Sequence, residues 1–315
     1  MKDLFTNHLF IMVAIGTTLL GIASAMIGTI TVLNKKSLIG DAIGHSSFPG
    51  IVLAFMIFST RSPYVLLMGA VFSGFLAYLI IQRIAKVEIH KTDTSLAVVL
   101  SGFFGLGMAL NSYIQGNPSY QGASQSGLAN YIFGQAAFIT KQDLWLIFGV
   151  SLVSMLVMTL FYKEIKLYVF DAQYMEASGF NNKIIDTLIT ITMVAIIAAG
   201  LKVVGSILIS SMLIAPVVAA MQWSKKYNVV VLIAALVGGL SSFIGTVFSS
   251  LYAGVSTGPA IVLVMSFIAI ISIIFGRWGV VKTALRRRAI KNVWDLFDNA
   301  NHCNCSFDYW NIFSS

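Results

Sequence analysis

The segment GDAIGHSSFPG, residues 40–50, holds the side chains with the clearest capacity for chemistry. Asp41 and His45 are four residues apart, so on a helix they lie on one face with Cβ atoms about 5–6 Å apart. Carboxylate and imidazole groups both bind manganese, iron and zinc. The spacing therefore fits one shared divalent cation. It also fits a structural use, with Asp41 favoured near a helix N-terminus and His45 hydrogen-bonded to a neighbouring helix.

The same segment opens a stretch that is apolar enough to cross a bilayer. An ionisable residue inside a membrane helix costs at least ~2.5–3.5 kcal/mol unless it is paired or hydrated, so this pair needs a partner. Pro49 has no N–H, and the carbonyl of His45 therefore loses the donor that a continuous helix would provide. We expect that oxygen to bind water or to assist the ion.

Composition places the whole chain in a membrane. Of its 315 residues, 57% are hydrophobic and 10% are charged, and the mean hydropathy is +0.87. Soluble domains carry about 25% charged residues. The net charge of +8 does not indicate a nucleic-acid partner, because basic residues that flank spans follow from membrane topology. Both cysteines, Cys303 and Cys305, lie near the C-terminus, which excludes disulfides across the body of the protein.

Apolar runs of about 20 residues predict transmembrane helices. They occupy residues 9–33, 42–59, 64–86, 94–114, 143–162, 184–203, 204–222, 229–250 and 259–276, with a turn near Gly205 between two nearly continuous runs. The run 128–139 is too short to span and predicts a re-entrant or interfacial helix. The expected fold is an all-α polytopic membrane protein of about eight to nine spans. Residues 1–276 would form the transmembrane domain, and residues 277–315 a basic cytoplasmic tail.

The basic residues divide unevenly between the two sets of connections. Most of the 20 Lys and Arg residues lie in one set, whereas the other set holds only Lys2, Arg61, Lys141 and Lys202. Cytoplasmic loops carry the excess of Lys and Arg. The sequence therefore predicts an N-terminus outside the cell and a C-terminus in the cytoplasm.

The connection 163–183 is long, and its middle, DAQYMEASG, predicts a short helix. Asp171 would be its N-cap and Gly179 its C-cap. Two roles remain open for this helix from its residues alone. It could lie as an amphipathic helix at the lipid headgroups, or it could dock into a partner subunit.

Several motifs carry a resemblance to a known family. NKKSLIGDAIGHSSFPGIVLAFM resembles the second-span motif of permease subunits in the ATP-binding-cassette importers of manganese, zinc and iron. KTDTSLAVVLSGFFGLGMAL, QSGLANYIFGQAAFITKQDL, FDAQYMEASGF, LKVVGSILISSMLIAPVVAA and SSLYAGVSTGPAIVLV resemble later motifs of the same family, in order. The resemblance covers residues from about 10 to 276 and does not extend to the tail.

This resemblance implies the membrane half of a type II importer in a bacterial cytoplasmic membrane. Such a permease pairs with itself or with a sister permease, with two cytoplasmic ATP-binding subunits and with an extracytoplasmic metal-binding protein. The resemblance carries metal binding onto Asp41 and His45. It assigns docking on the ATPase to the 171–179 helix, with contacts expected from Asp171, Tyr174, Met175, Glu176, Gly179 and Phe180.

Other functions fit the sequence less well. A proton-coupled secondary carrier normally shows acidic residues at mid-membrane and an internal repeat, whereas the acids here cluster at span ends. The chain has no HExxH motif of a metalloprotease and no GxxxxGK[ST] phosphate loop, so we expect neither an enzyme nor intrinsic ATPase activity. Oxygen and nitrogen ligands without cysteine favour manganese, with zinc or iron(II) as alternatives. No tightly bound cofactor is expected, and Asp186 is expected to serve as a polar cap.

Overall fold

The computed structural model describes residues 8–86, 92–117, 130–134, 139–252, 254–279 and 281–282. Within these ranges the secondary structure is helical. The helices are α1 (His8–Leu33), α2 (Ile39–Ser46), α3 (Phe48–Phe58), α4 (Pro63–Ala85), α5 (Thr92–Gly116), α6 (Asn130–Phe133), α7 (Lys141–Leu160), α8 (Tyr162–Phe170), α9 (Ala172–Ala177), α10 (Asn182–Val204), α11 (Ser206–Met221), α12 (Tyr227–Leu251) and α13 (Thr257–Phe275). Beyond residue 282, the predicted tail, which contains Cys303 and Cys305, lies outside the described residues.

Eight helical stretches of the described chain are long and apolar enough to cross a membrane, which confirms an all-α, multi-pass membrane protein. One of them, Ile39–Phe58, consists of α2 and α3 in succession. The ninth predicted span, 204–222, is shorter than expected. Gly205, at φ +90°, ends α10, and α11 then has 16 residues. At 1.5 Å per residue α11 is about 24 Å long, less than the ~30 Å hydrocarbon core.

Local sequence signals explain where several helices begin. The Thr140 side chain accepts a hydrogen bond from the Asp143 N–H, and Asp143 accepts from the Thr140 N–H, which forms a capping box at the start of α7. Pro63 begins α4, and Pro49 lies in the first turn of α3, where a missing N–H costs nothing. Residues 162–170 form α8, so more of the 163–183 connection is helical than its sequence predicted.

The helix ends form two groups at opposite ends of the bundle. At the end that we call the Asp186 end, Lys36 before α2, Tyr78 of α4 and Tyr168 of α8 surround Asp186 of α10. At the other end, which we call the Lys202 end, a cavity is lined by residues that include Pro63 of α4, Tyr131 of α6, Asp143 of α7 and Lys202 of α10. Within the described part of the predicted 128–139 segment, the helix is the four-residue α6, which does not span.

Close backbone packing holds α1 against α11. A Cβ atom on Gly28 would overlap the carbonyl of Leu213, so no larger residue fits between the two helices there. Lipid tails are as apolar as the side chains, and membrane helices therefore associate through such close packing rather than through a hydrophobic difference. The same helix α11 contacts α2, since Leu213 also packs on Gly40. Gly28 thus helps to fix the helix against which the Asp41 and His45 segment lies.

We expect Gly28→Ala to destabilise the folded protein by about 1–3 kcal/mol, because the added methyl group overpacks a backbone contact. The measurement is the midpoint of thermal unfolding of the detergent-purified protein. Gly149→Ala in α7 is the matched control, because a Cβ atom there would meet nothing within 4 Å. Equal unfolding midpoints for the two variants would contradict the predicted close contact.

Candidate functional site

Asp41 and His45 lie on the same face of α2, as their spacing predicts. The His45 Nε2 and Asp41 Oδ1 atoms are 3.7 Å apart, which is too long for a direct hydrogen bond. The side chains are 14% exposed for His45 and 38% exposed for Asp41, so the pair is reachable at the edge of the chain rather than sealed within it. A cation between these two atoms would be held by one oxygen and one nitrogen.

The other ring nitrogen of His45 has no partner. Its Nδ1 atom is buried and makes no hydrogen bond, while the ring packs edge-on against Phe104 of α5 with centroids 5.0 Å apart. The structural alternative from the sequence required a hydrogen bond from His45 to a neighbouring helix. The structure has the aromatic contact with Phe104 instead, and Nε2 is the ring nitrogen that faces Asp41.

Pro49 lies one turn beyond the pair and accompanies a break between α2 and α3. Ser47 separates the two helices, and its N–H donates to the carbonyl of Ile43. The Ser73 hydroxyl of α4 donates to the Ser46 carbonyl at 2.6 Å, so a side chain from a neighbouring helix supports the backbone at the break. This support fixes the C-terminal end of the short helix that carries both candidate ligands.

One chain supplies only two candidate ligands. Among the described residues, no group of three or more His, Cys, Asp or Glu side chains is placed to hold a metal ion. Asp41 and His45 therefore need water, backbone oxygen or another chain to complete a coordination sphere. Their role as metal ligands remains a prediction.

Asp186 does more than the polar cap that the sequence predicts. Its carboxylate accepts hydrogen bonds from Tyr78 Oη at 2.7 Å, Tyr168 Oη at 2.5 Å and Gln82 Nε2 at 2.8 Å. The Lys36 ammonium lies 3.7 Å from Oδ1. Burial raises the pKa of the Tyr168 hydroxyl far above its ordinary value, so Tyr168 remains a neutral donor. These contacts join α4, α8, α10 and the turn before α2. We call them the Asp186 junction.

The predicted short helix in the 163–183 connection is present as α9. Asp171 caps its N-terminus by accepting a hydrogen bond from the Tyr174 N–H at 2.9 Å. Gly179 follows the helix at φ +83°, a conformation that few other residues adopt without strain. The Phe180 N–H then donates to the Met175 carbonyl at 3.2 Å and closes the helix end.

Met175 was predicted as a docking contact, which requires an exposed side chain, and this prediction is wrong. Its side chain is fully buried and belongs to the core, whereas Tyr174, Glu176 and Phe180 are exposed. A helix of six residues is too short for its sequence to show which face turns inward. The surface that α9 offers to a partner is therefore Tyr174 and Phe180, and Met175 anchors α9 to its own chain.

Sequence reasoning missed a buried ion pair at the Lys202 end. Lys202 Nζ of α10 and Asp143 Oδ2 of α7 are 2.5 Å apart, and the Asp143 side chain is only 5% exposed. The sequence showed Lys202 as a loop lysine and Asp143 as the start of a span. A signal was present, because an acid and a base near the ends of apolar helices avoid the cost of burial by pairing.

Comparisons with known proteins agree with this architecture. The ABC 3 transport family matches residues 7–276. The chain is 38% identical over 288 residues to the zinc transport system membrane protein TroC of Treponema pallidum (strain Nichols), which covers 91% of this chain and 96% of that protein. It is 38% identical over 300 residues to the manganese transport system membrane protein MntC of Bacillus subtilis (strain 168), with 91% and 68% covered.

A solved structure has the same fold. PsaBC from Streptococcus pneumoniae in complex with Fab superposes with a TM-score of 0.78 at 25% sequence identity, and the match covers 90% of this chain and 98% of that chain. Almost the whole helical bundle, including the helices that carry Asp41, His45 and Asp186, falls within the matched region of the family. The chain belongs to the ABC 3 transport family.

Proposed function

We propose that this chain is the membrane-spanning permease subunit of an ABC importer that carries a divalent transition-metal ion, manganese by preference, into the cytoplasm. The observation that carries the proposal is the Asp41–His45 pair, one helical turn apart, with Nε2 of His45 facing Oδ1 of Asp41 at 3.7 Å. Membership of the ABC 3 transport family supports the transport role. Similarity to proteins named for manganese and for zinc transport supports a metal as cargo.

The sparse ligand set suits an ion in transit. A transport site must bind strongly enough to admit the ion and weakly enough to release it. Two ligands from this chain, with two more from a second copy or a sister permease, would make such a site. Oxygen and nitrogen donors without cysteine favour manganese, and zinc or iron(II) are the alternatives. The metal is cargo in this proposal, and no resident cofactor is invoked.

The acids elsewhere argue against a proton-coupled carrier. Asp143 is bound to Lys202, and Asp186 accepts three hydrogen bonds beside Lys36. Both carboxylates are committed to holding helices together, whereas Asp41 is partly exposed beside His45. We therefore assign the driving energy to separate ATP-binding subunits, since this sequence has no phosphate-loop motif.

The ATP-binding subunits would dock at α9. Tyr174 and Phe180 form its exposed aromatic surface, Asp171 and Gly179 fix its two ends, and Glu176 lies at its rim. Aromatic side chains are the residues that most often carry binding energy in protein interfaces. Met175 contributes indirectly, because its burial holds α9 in place.

The distribution of charge supports the orientation. Lys36, Arg83, Lys163 and Lys226 belong to the Asp186 end, and the excess of basic residues marks the cytoplasmic side. The N-terminus would then be outside, where an extracytoplasmic metal-binding protein delivers the ion to the Lys202 end. The C-terminal tail from 277 would lie in the cytoplasm.

We expect Asp41→Asn to lower manganese uptake by about 10- to 100-fold or more, because loss of even an outer-shell contact costs that much in metal sites. The substitution keeps the shape of the side chain and removes the charge that balances the cation. Uptake of manganese, zinc and iron is measured in cells and compared with Asp93→Asn, which changes an exposed carboxylate at the start of α5. Normal accumulation of all three metals in Asp41→Asn would refute the metal site.

We expect Tyr174→Ala to weaken binding of the ATP-binding subunits by about 2 kcal/mol, or roughly 30-fold, as for an aromatic interface residue. Co-purification and metal uptake should fall together. Tyr64→Ala is the control, because Tyr64 is similarly exposed, at 52% against 60%, but lies at the start of α4 at the Lys202 end. A helix that only rests on lipid headgroups would retain the ATP-binding subunits in both variants.

We expect a cysteine at position 62 to react with an impermeant thiol reagent from outside the cell, and a cysteine at position 224 to be protected. Ser62 precedes α4 at the Lys202 end, and Ser224 follows α11. The two variants, Ser62→Cys and Ser224→Cys, are made in a chain with Cys303→Ser and Cys305→Ser. The opposite labelling pattern would reverse the orientation and remove α9 from the cytoplasm.

A further inference from the structure

The Asp186 junction lies between the helix proposed to bind the ATPase and the helix proposed to bind the metal. Three different elements contact Asp186 there: α8 through Tyr168, α4 through Tyr78, and the turn before α2 through Lys36. We propose that Asp186 is a positioning residue that transmits movement of α9 to α2 and so links ATP hydrolysis to the state of the metal site. This inference rests on the proposed function.

On the docking side, α9 is tied to the junction through its N-terminal end, by two separate contacts. Asp171 is the C-cap of α8 and the N-cap of α9, so the two helices meet at a single residue. The Asn182 side chain of α10 donates to the Ala172 carbonyl at 2.8 Å. Tyr168 lies three residues before Asp171, and Asp186 lies four residues after Asn182. A displacement of α9 therefore moves both the donor and the acceptor of the Tyr168–Asp186 hydrogen bond.

On the metal side, Lys36 leads directly into α2. Its N–H donates to the Thr31 carbonyl at 2.8 Å, and its own carbonyl accepts from the Ile39 N–H at 3.1 Å, where α2 begins. Asp41 follows five residues after Lys36. The Lys36 ammonium thus connects the Asp186 carboxylate to the first turn of the helix that carries the candidate metal ligands.

Among the contacts of the Asp186 junction, the ion pair between Lys36 and Asp186 is the one that can separate. The Lys36 side chain is 41% exposed and lies 3.7 Å from Asp186 Oδ1, whereas the tyrosine hydrogen bonds are short and partly buried. A cavity of about 20 Å³, lined by residues that include Asn34, Lys36 and Asp186, adjoins this contact. That volume suffices for about one water molecule, so the ion pair has room to separate and be rehydrated.

The experiment uses the permease in complex with its ATP-binding subunits and its extracytoplasmic metal-binding protein, reconstituted in proteoliposomes with manganese as the cargo. The quantity measured is manganese transported per ATP hydrolysed. Tyr168→Phe removes one hydroxyl from the junction, and we expect this ratio to fall by about fivefold or more, a typical size for coupling between two sites. Manganese binding and retention of the ATP-binding subunits should be unchanged.

Tyr162→Phe is the matched control, because Tyr162 begins the same helix α8 and its buried hydroxyl makes no hydrogen bond. Its transport ratio should equal that of the unmodified chain. Lys36→Met should also lower the ratio of manganese transported to ATP hydrolysed. The double variant Tyr168→Phe with Lys36→Met should have a ratio no lower than that of the more impaired single variant, because both changes interrupt one path.

Three results would overturn the inference: an unchanged ratio in Tyr168→Phe, additive losses in the double variant, or loss of the ATP-binding subunits from Tyr168→Phe, which would make the tyrosine an anchor only. Each of these leaves the proposed function intact, provided that the unmodified complex imports manganese on addition of ATP. Failure of the unmodified complex to import any of manganese, zinc or iron would refute the proposed function itself.

Discussion

The cost of placing an ionisable side chain in hydrocarbon governs the arrangement of this protein. Such a group must be paired, hydrogen-bonded or hydrated. Asp143 meets this requirement with Lys202, and Asp186 meets it with two tyrosines, a glutamine and a lysine. In both cases the partners come from different helices, so satisfying the charge also fixes the relative positions of those helices.

Asp41 and His45 are the exception. Their closest approach of 3.7 Å is loose, and the buried Nδ1 atom of His45 has no hydrogen-bond partner. The protein thus satisfies Asp143 and Asp186 with its own side chains and leaves this pair incomplete at a partly exposed edge. This incomplete pair is the physical basis of the proposed metal site. The close contact of Gly28 with Leu213 adds to the packing that holds the surrounding helices in place.

Much of this arrangement follows from the sequence, and the failures have identifiable causes. Lengths of apolar runs predict the spans, the four-residue spacing predicts that Asp41 and His45 share a face, and Asp171 predicts the start of α9. The inward position of Met175 is not predictable, because six residues contain too little periodicity. The hydrogen-bond partners of Asp186 are up to 108 residues distant in the chain, Lys36 is farther still, and only tertiary packing brings them together.

The shortness of α11 has a consequence for how this protein meets its bilayer. Between Ser206 and Ala220, none of the described side chains of α11 is exposed, so little of this helix is left to face lipid. Hydrophobic mismatch acts on the helices that touch acyl chains, which tilt when the bilayer is thinner or thicker. Because α11 packs on α1, α12 and α13, we expect the outer helices rather than α11 to absorb differences in membrane thickness. The segment that supports α2 is in this way insulated from the lipid composition of the membrane.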